Sequence, residues 1–145
     1  MKYILTIAFL MGILFVAQGL NAQGKEKVIK DGTASYYHPK FNGRKTATGD
    51  VFQNSRFTCA SNQLKLNTYI KVTNIKNGRV VYVRVNDRMA PSNKRLLDLT
   101  EAAADALDYR EQGLAHVKLE VVTEEEGRTA ILAQREARDR KANTL

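Results

Sequence analysis

Hydrophobic and polar positions change rhythm along this chain, and each change marks an element. The clearest alternation lies between Tyr69 and Val85. Ile70 and Val72 alternate with Lys71 and Thr73, Asn77-Gly78 supplies a turn, and a β-branched run extends from Val80 to Val85; this predicts a β-hairpin. Gly32 to Tyr37 predicts a first strand and Phe57 to Ala60 a short one. His116 to Val122 sets Val117, Leu119 and Val121 against exposed-looking His116, Lys118 and Glu120, which predicts a final strand. Before it, Thr100 can cap a helix from Glu101 to about Tyr109, since its hydroxyl accepts an orphan amide, Glu101 suits the first turn and the run is alanine-rich. Phe41 to Asp50 holds Gly43 and Gly49 without a sustained period, so an ordered loop is predicted there. Strands dominate, which favours a mainly β domain, with a barrel among the architectures that fit.

Two aspartates interrupt this pattern. Asn86-Asp87-Arg88 stands where the apolar run of the hairpin stops, and Asp98 sits inside Leu96-Leu97-Asp98-Leu99. Carboxylates at strand ends need partners where water is excluded. Turn formation or backbone capping is the plain structural role open to each.

The ends differ from the middle. Lys2 followed by an apolar run from Ile4 to Val16 and small residues at Ala17, Gly19 and Ala22 reads as a secretion signal over 1–22, cut near Ala22. That run is shorter than the ~20 apolar residues of a membrane span, so no stable span is expected after cleavage and the product is expected to be exported, periplasmic or extracellular. Residues 23–31 read as a short flexible leader, 32–122 as one small domain, and 123–145 as a charged tail that is either helical, with Glu136 opposite Arg140, or frayed.

The formal net charge is +8. The excess belongs to the body, because 123–145 carries equal numbers of each sign. A basic exported body points toward anionic envelope polymers rather than nucleic acid, for which no recognition element is evident. Cys59 is the only cysteine, which excludes an intrachain disulfide and reads most simply as a small buried hydrophobe; no cysteine near the cut offers a lipidation site. With His38 and His116 the only histidines, a metal site of several His ligands is excluded. The glycine loop lacks the GxxxxGK[ST] order of a phosphate-binding loop, and no cofactor is expected. Trp is absent, leaving Tyr36, Tyr37 and Tyr82 as lesser platforms for sugar rings.

Taken in order, Gly32-Thr-Ala-Ser-Tyr-Tyr37, Gly43 to Asp50, Leu64 to Asn74, Asn77-Gly-Arg79, Val83-Arg-Val-Asn-Asp-Arg88 and Leu97 to Ala103 resemble the rare lipoprotein A (RlpA) family over 32–122. The resemblance implies a six-stranded double-psi β-barrel with one or two short helices. It further implies a lytic transglycosylase that cuts MurNAc–GlcNAc linkages of peptidoglycan glycan strands without water, forming a 1,6-anhydro end, with envelope or divisome proteins as further partners. Carried over by motif, Asp87 of Asn-Asp-Arg becomes general acid and base, Asp98 of Asp-Leu-Thr its partner or orienter, and Asp50 the acid that ends the glycine loop. Tyr36, Tyr37, Arg88 and Ser61 become substrate-binding candidates.

Departures from the family pattern are specific. Asp50 replaces a Glu, Ser61 replaces the His of a TAAH-like segment, Lys65 replaces a Pro, and Met89-Ala90-Pro91 replaces Gly-Pro. A serine supplies no near-neutral acid or base. Three readings therefore stay open: a lytic enzyme, a non-catalytic peptidoglycan-binding or wall-loosening protein of the same fold, and a secreted partner-binding or inhibitory domain.

Overall fold

The computed structural model describes residues 27–145, so the secretion signal expected over 1–22 lies outside the described residues. Six strands close into a barrel: β1 (Ile29–Tyr36), β2 (Thr58–Ala60), β3 (Tyr69–Asn74), β4 (Val80–Asp87), β5 (Leu97–Leu99) and β6 (Ala115–Val122), in the spatial order β1-β5-β2-β4-β3-β6. Two pairs, β1/β5 and β2/β4, are parallel and the rest antiparallel. This is the mixed, double-psi-like barrel that the family resemblance implies. Helices α1 (Glu101–Ala106) and α2 (Glu124–Ala142) complete it.

Local chemistry explains the well-anticipated elements. In the hairpin β3 pairs with β4 from Tyr69↔Arg84 to Thr73↔Val80, and the connection turns at Gly78, whose φ of 74° is costly for a residue with a Cβ. Val81, Val83 and Val85 point inward with Ile70 and Val72, and meet Leu97, Leu99, Val117 and Leu119 in a closed core. Burial of such side chains contributes roughly 1.5–3 kcal/mol each. Cys59 is fully buried among them, with the thiol pKa pushed up by desolvation.

Thr100 caps α1 by accepting from the Ala103 amide. The helix stops at Ala106, short of the predicted Tyr109, because Asp108 takes a left-handed conformation (φ 55°) and Tyr109 folds back into the core, donating its hydroxyl to the Ser35 carbonyl at 2.8 Å. The Leu107 carbonyl, orphaned at that helix end, accepts from both Asn74 Nδ2 and Asn77 Nδ2 at 2.9 Å.

Three expectations need correction. The first strand begins at Ile29, so residues 29–31 of the predicted leader are barrel, paired with β6 from Ile29↔Glu120 onward. Glu120 is buried: Lys27 reaches it at 2.9 Å and Lys71 at 3.9 Å, and the Lys27 hydrogen bond holds its carboxyl below the ordinary range. Periodicity named its face correctly but not the lysines that cover it. The 123–145 segment forms α2, capped by Thr123 at the Glu126 amide, and its pair four residues apart is Glu124 with Arg128 at 2.7 Å rather than Glu136 with Arg140.

Helix α2 docks on β3 and β4 by side-chain devices. Gly127 lies against Tyr69 so closely that an added Cβ would sit 2.4 Å from the Tyr69 Cβ. Gln134 accepts from the Tyr82 amide at 2.7 Å and donates to the Tyr82 carbonyl at 2.9 Å. It thereby satisfies backbone groups of β4 at a point that neither neighbouring strand uses.

Candidate active site

Asp87 and Asp98 are brought together by β2. This three-residue strand runs between β4 and β5, and its last residue, Ala60, is in register with Asp87 on one side and Asp98 on the other. Two strand spacings set the aspartate backbones about 10 Å apart. A bulge makes this possible. Cys59 pairs with Val85, but Ala60 pairs with Asp87, so Asn86 is an extra residue on β4. Without it Ala60 would face Asn86 and Asp87 would fall on the other face of the sheet. Both aspartates instead line one cleft of about 420 Å³.

The Asp87 carboxylate is tightly oriented. Tyr37 Oη donates to Oδ2 at 2.7 Å, while the Ala47 amide at 3.0 Å and the Arg88 amide at 2.9 Å donate to Oδ1. Burial, and then the bond to Asp87, push the Tyr37 phenol far above its ordinary pKa, so it remains a neutral donor. The Tyr37 ring is itself fixed by Phe52 and Phe41, with centroids 4.3 and 5.8 Å away. Asp98 is gripped by Arg95, Nε to Oδ1 at 2.9 Å and Nη2 to Oδ2 at 3.1 Å, a bidentate pair that orients the carboxylate and offsets its charge.

The other expected residues divide. Tyr36 lines the cleft, but its hydroxyl is engaged with the Arg110 carbonyl at 2.9 Å and its ring packs edge-on against Tyr109. Arg88 borders the cleft while its Nη1 donates to the carbonyls of Ser61 and Leu64 at 2.5 and 2.7 Å, so the guanidinium holds a turn. Ser61 is fully buried and its hydroxyl accepts from the Gln63 and Leu64 amides, which leaves it no surface to offer a sugar. Asp50 does not join the two aspartates. It pairs with Arg84 and lines a neighbouring groove, and the Arg84 guanidinium, helped by the Thr48 hydroxyl, holds its carboxyl below the ordinary range.

Arg95 is a charged cleft residue that sequence reasoning did not single out, and His38, which matches no family histidine in sequence, does reach the cleft in space. Arg95 lies three residues before Asp98, a local spacing that signals the pair in retrospect. His38 accepts from the Lys40 amide at Nδ1 (3.1 Å), which places the proton of the neutral ring on Nε2. Its approach to the cleft depends on the turn Pro39–Phe41 and has no sequence signature. Among the described residues no three His, Cys, Asp or Glu side chains converge as a metal site requires.

Comparison with known proteins agrees with this architecture. A family model described as lytic transglycolase matches residues 29–119. The endolytic peptidoglycan transglycosylase RlpA of Haemophilus influenzae is 50% identical over 94 residues, which cover 65% of this chain and 33% of that protein. The chain thus spans about a third of the length of the curated relatives it matches. Among solved structures, the Streptomyces papain inhibitor superposes with a TM-score of 0.54 at 22% identity, covering 66% of this chain and 96% of that one. An expansin of Clavibacter michiganensis gives 0.53 at 24% identity, covering 66% and 51%; at such identities both likenesses concern the fold alone. Matched from β1 into β6, the chain belongs to the lytic transglycolase family of RlpA-like double-psi β-barrels.

Proposed function

We propose that this chain is an exported, endolytic transglycosylase-like protein that cleaves MurNAc–GlcNAc linkages of peptidoglycan, with Asp87 at the centre of its chemistry. The observation that carries the reading is the Asp87 carboxylate, held by one phenol and two backbone amides in an open cleft. None of those donors is charged, so proton exchange at Asp87 breaks no ion pair. In the reaction the bond from the anomeric carbon to the leaving sugar oxygen breaks, and the C6 hydroxyl oxygen of the same sugar bonds to that carbon. The hydroxyl proton passes to a base, the leaving oxygen receives a proton, and no water is consumed. Asp87 takes the proton and returns it to the leaving group. Asp98, held in a bidentate pair by Arg95 that offsets its charge, acts as partner or orienter across the cleft rather than as a free anion. His38 brings an imidazole to the cleft where Ser61, replacing the family histidine, supplies none.

Product analysis on denuded glycan strands tests this reading. Purified protein is expected to release anhydro-ended fragments detectable by mass spectrometry, and Asp87→Asn to reduce the yield about 10²–10⁴-fold. Absence of anhydro products with the unsubstituted protein overturns it.

Burial of Ser61 in the family's histidine position favours a second reading, a non-catalytic peptidoglycan-binding or wall-loosening protein. It requires sedimentation with insoluble peptidoglycan at moderate salt without new chain ends; protein left in the supernatant counts against it.

A further inference from the structure

Helix α2 lies beyond the residues matched by the family model, yet it touches the segment that supports the cleft. The groove that Asp50 lines runs between α2 and the barrel. About one helical turn after Gln134, Arg138 leaves α2 for the segment 52–57. Its Nη1 donates to the Ser55 carbonyl, and its guanidinium lies over the Phe57 ring, 5.6 Å from the centroid. Nε and Nη2 face the adjacent Asp139 at 3.3 and 3.2 Å, which leaves Nη1 for the loop. No backbone amide among the described residues donates to the Ser55 carbonyl, so Arg138 is its one protein donor there.

The segment held in this way is the one that fixes Tyr37. Phe52 and Asn54 are buried, whereas Gln53 and Ser55 face outward. The Phe52 ring packs 4.3 Å from that of Tyr37, and Asn54 Nδ2 donates to the Tyr37 carbonyl at 3.3 Å. Asn54 also accepts from the Glu101 amide at 2.9 Å, so α1 grips the segment through Asn54 and α2 grips it through Ser55. Tyr37 in turn donates to Asp87. From Arg138 to Asp87 every link is a direct contact or a covalent neighbour.

We infer that Arg138 is a positioning residue for the cleft: from α2 it fixes the segment 52–55, and that segment fixes Tyr37 against Asp87. The inference rests on the role of Asp87 proposed above and deepens it. A neutral donor orients a carboxylate only as well as it is itself held. Release of Ser55 lets Phe52 and Asn54 shift, and the Tyr37 phenol moves with them. Proton transfer depends steeply on such geometry. Arg138 does not line the cleft, so its loss leaves the contacts of a bound glycan as they are.

The test compares Arg138→Ala, Arg138→Lys and Arg140→Ala with the unsubstituted protein by steady-state kinetics on denuded glycan strands. It also follows the NMR resonances of the Tyr37 ring, whose shifts depend on the ring current of the neighbouring Phe52. Arg140 is exposed on the same helix, so its variant removes the same charge without removing the bond to Ser55. Arg138→Ala is expected to lower kcat about two- to thirtyfold, the range for residues coupled to a site they do not touch. KM is expected to stay unchanged, as for an interaction that acts only in the transition state. The Tyr37 ring resonances are expected to move in Arg138→Ala and to stay in Arg140→Ala. Arg138→Lys, which keeps a donor and a cation over Phe57, is expected to recover most of the loss. Unmoved Tyr37 resonances in Arg138→Ala, moved resonances with kcat unchanged, or an equal loss in Arg140→Ala overturns the inference. If the unsubstituted protein forms no anhydro product, the glycan reading fails, and the Tyr37 resonances alone decide whether Arg138 holds the segment.

Discussion

Asp87 and Asp50 sit on opposite flanks of one loop and are held by opposite means. Asp87 accepts from a phenol and two amides, partners without charge. Asp50 accepts from Arg84, and that cation holds it as an anion. A proton that comes and goes at a carboxylate held by neutral donors weakens hydrogen bonds but breaks no ion pair, whereas one at a carboxylate bound to a guanidinium must displace the cation. On the function proposed above, proton transfer belongs to the cleft and not to Asp50, although the sequence presents both residues simply as acids.

The largest expected effect that separates the two flanks is catalytic. If the division holds, Asp87→Asn lowers anhydro-product yield about 10²–10⁴-fold, while Asp50→Asn lowers it by less than about tenfold, the effect of losing one partly exposed charge. Equal losses, read by the same mass-spectrometric assay, would erase the distinction.

Next comes the wall of the groove. Gly127→Ala forces a Cβ into Tyr69 and is expected to cost about 1–3 kcal/mol as overpacking, by undocking α2 or shifting Tyr69. Denaturant unfolding measures this, and hydrogen exchange of the Tyr82 amide, bonded to Gln134, reports whether α2 has lifted. The cleft is expected to keep its affinity for denuded strands; a parallel loss there would mean the two flanks are one site.

Tyr37→Phe leaves the ring between Phe41 and Phe52 but removes the donor to Asp87. A loss of about 1.5–3 kcal/mol, typical of a hydrogen bond to a charged group, is expected in unfolding free energy or transition-state binding. Unchanged stability and turnover would mean that Asp87 is oriented by the amides alone.

The smallest effect concerns the Asp50–Arg84 pair. With side chains 41% and 25% exposed, a double-mutant cycle is expected to give no more than about 1 kcal/mol. Folding lowers the Asp50 pKa from its ordinary 3.8, so the folded state binds this proton less readily than the unfolded chain. The contribution is fully present above 3.8 and disappears as pH falls through the lower folded value. Equilibrium unfolding between pH 5 and 2, with Asp50→Asn as the reference, measures it; a pair that persists at the acid end contradicts this sign.

Much of the fold was legible because its signals are local. Alternation gave the β3–β4 hairpin and β6, the Asn-Gly turn gave the reversal, and Thr100 followed by alanines gave α1. Family motifs supplied the barrel that these elements close, which periodicity alone did not specify. The site was legible as residue types at motif positions: Asp87 and Asp98 do share a cleft. Roles that depend on burial and partners were not. Ser61 and Arg88 were assigned to substrate, but the turn they build consumes their hydrogen bonds. Tyr37 meets Asp87 across a separation of 50 residues, which leaves no trace in any local pattern.

By itself the sequence determined the β3–β4 hairpin and β6, the apolar face of each, where α1 starts and which acids stand at strand ends, since all of these follow from neighbours within a few residues. Tertiary structure alone decided that Asp87 and Asp98 flank Ala60 and share a face. That outcome needs a short β2 between β4 and β5 and one extra residue, Asn86, at the bulge. Because side chains alternate from face to face, that single residue of register determines whether Asp87 meets Asp98 in the cleft or lies on the other side of the sheet.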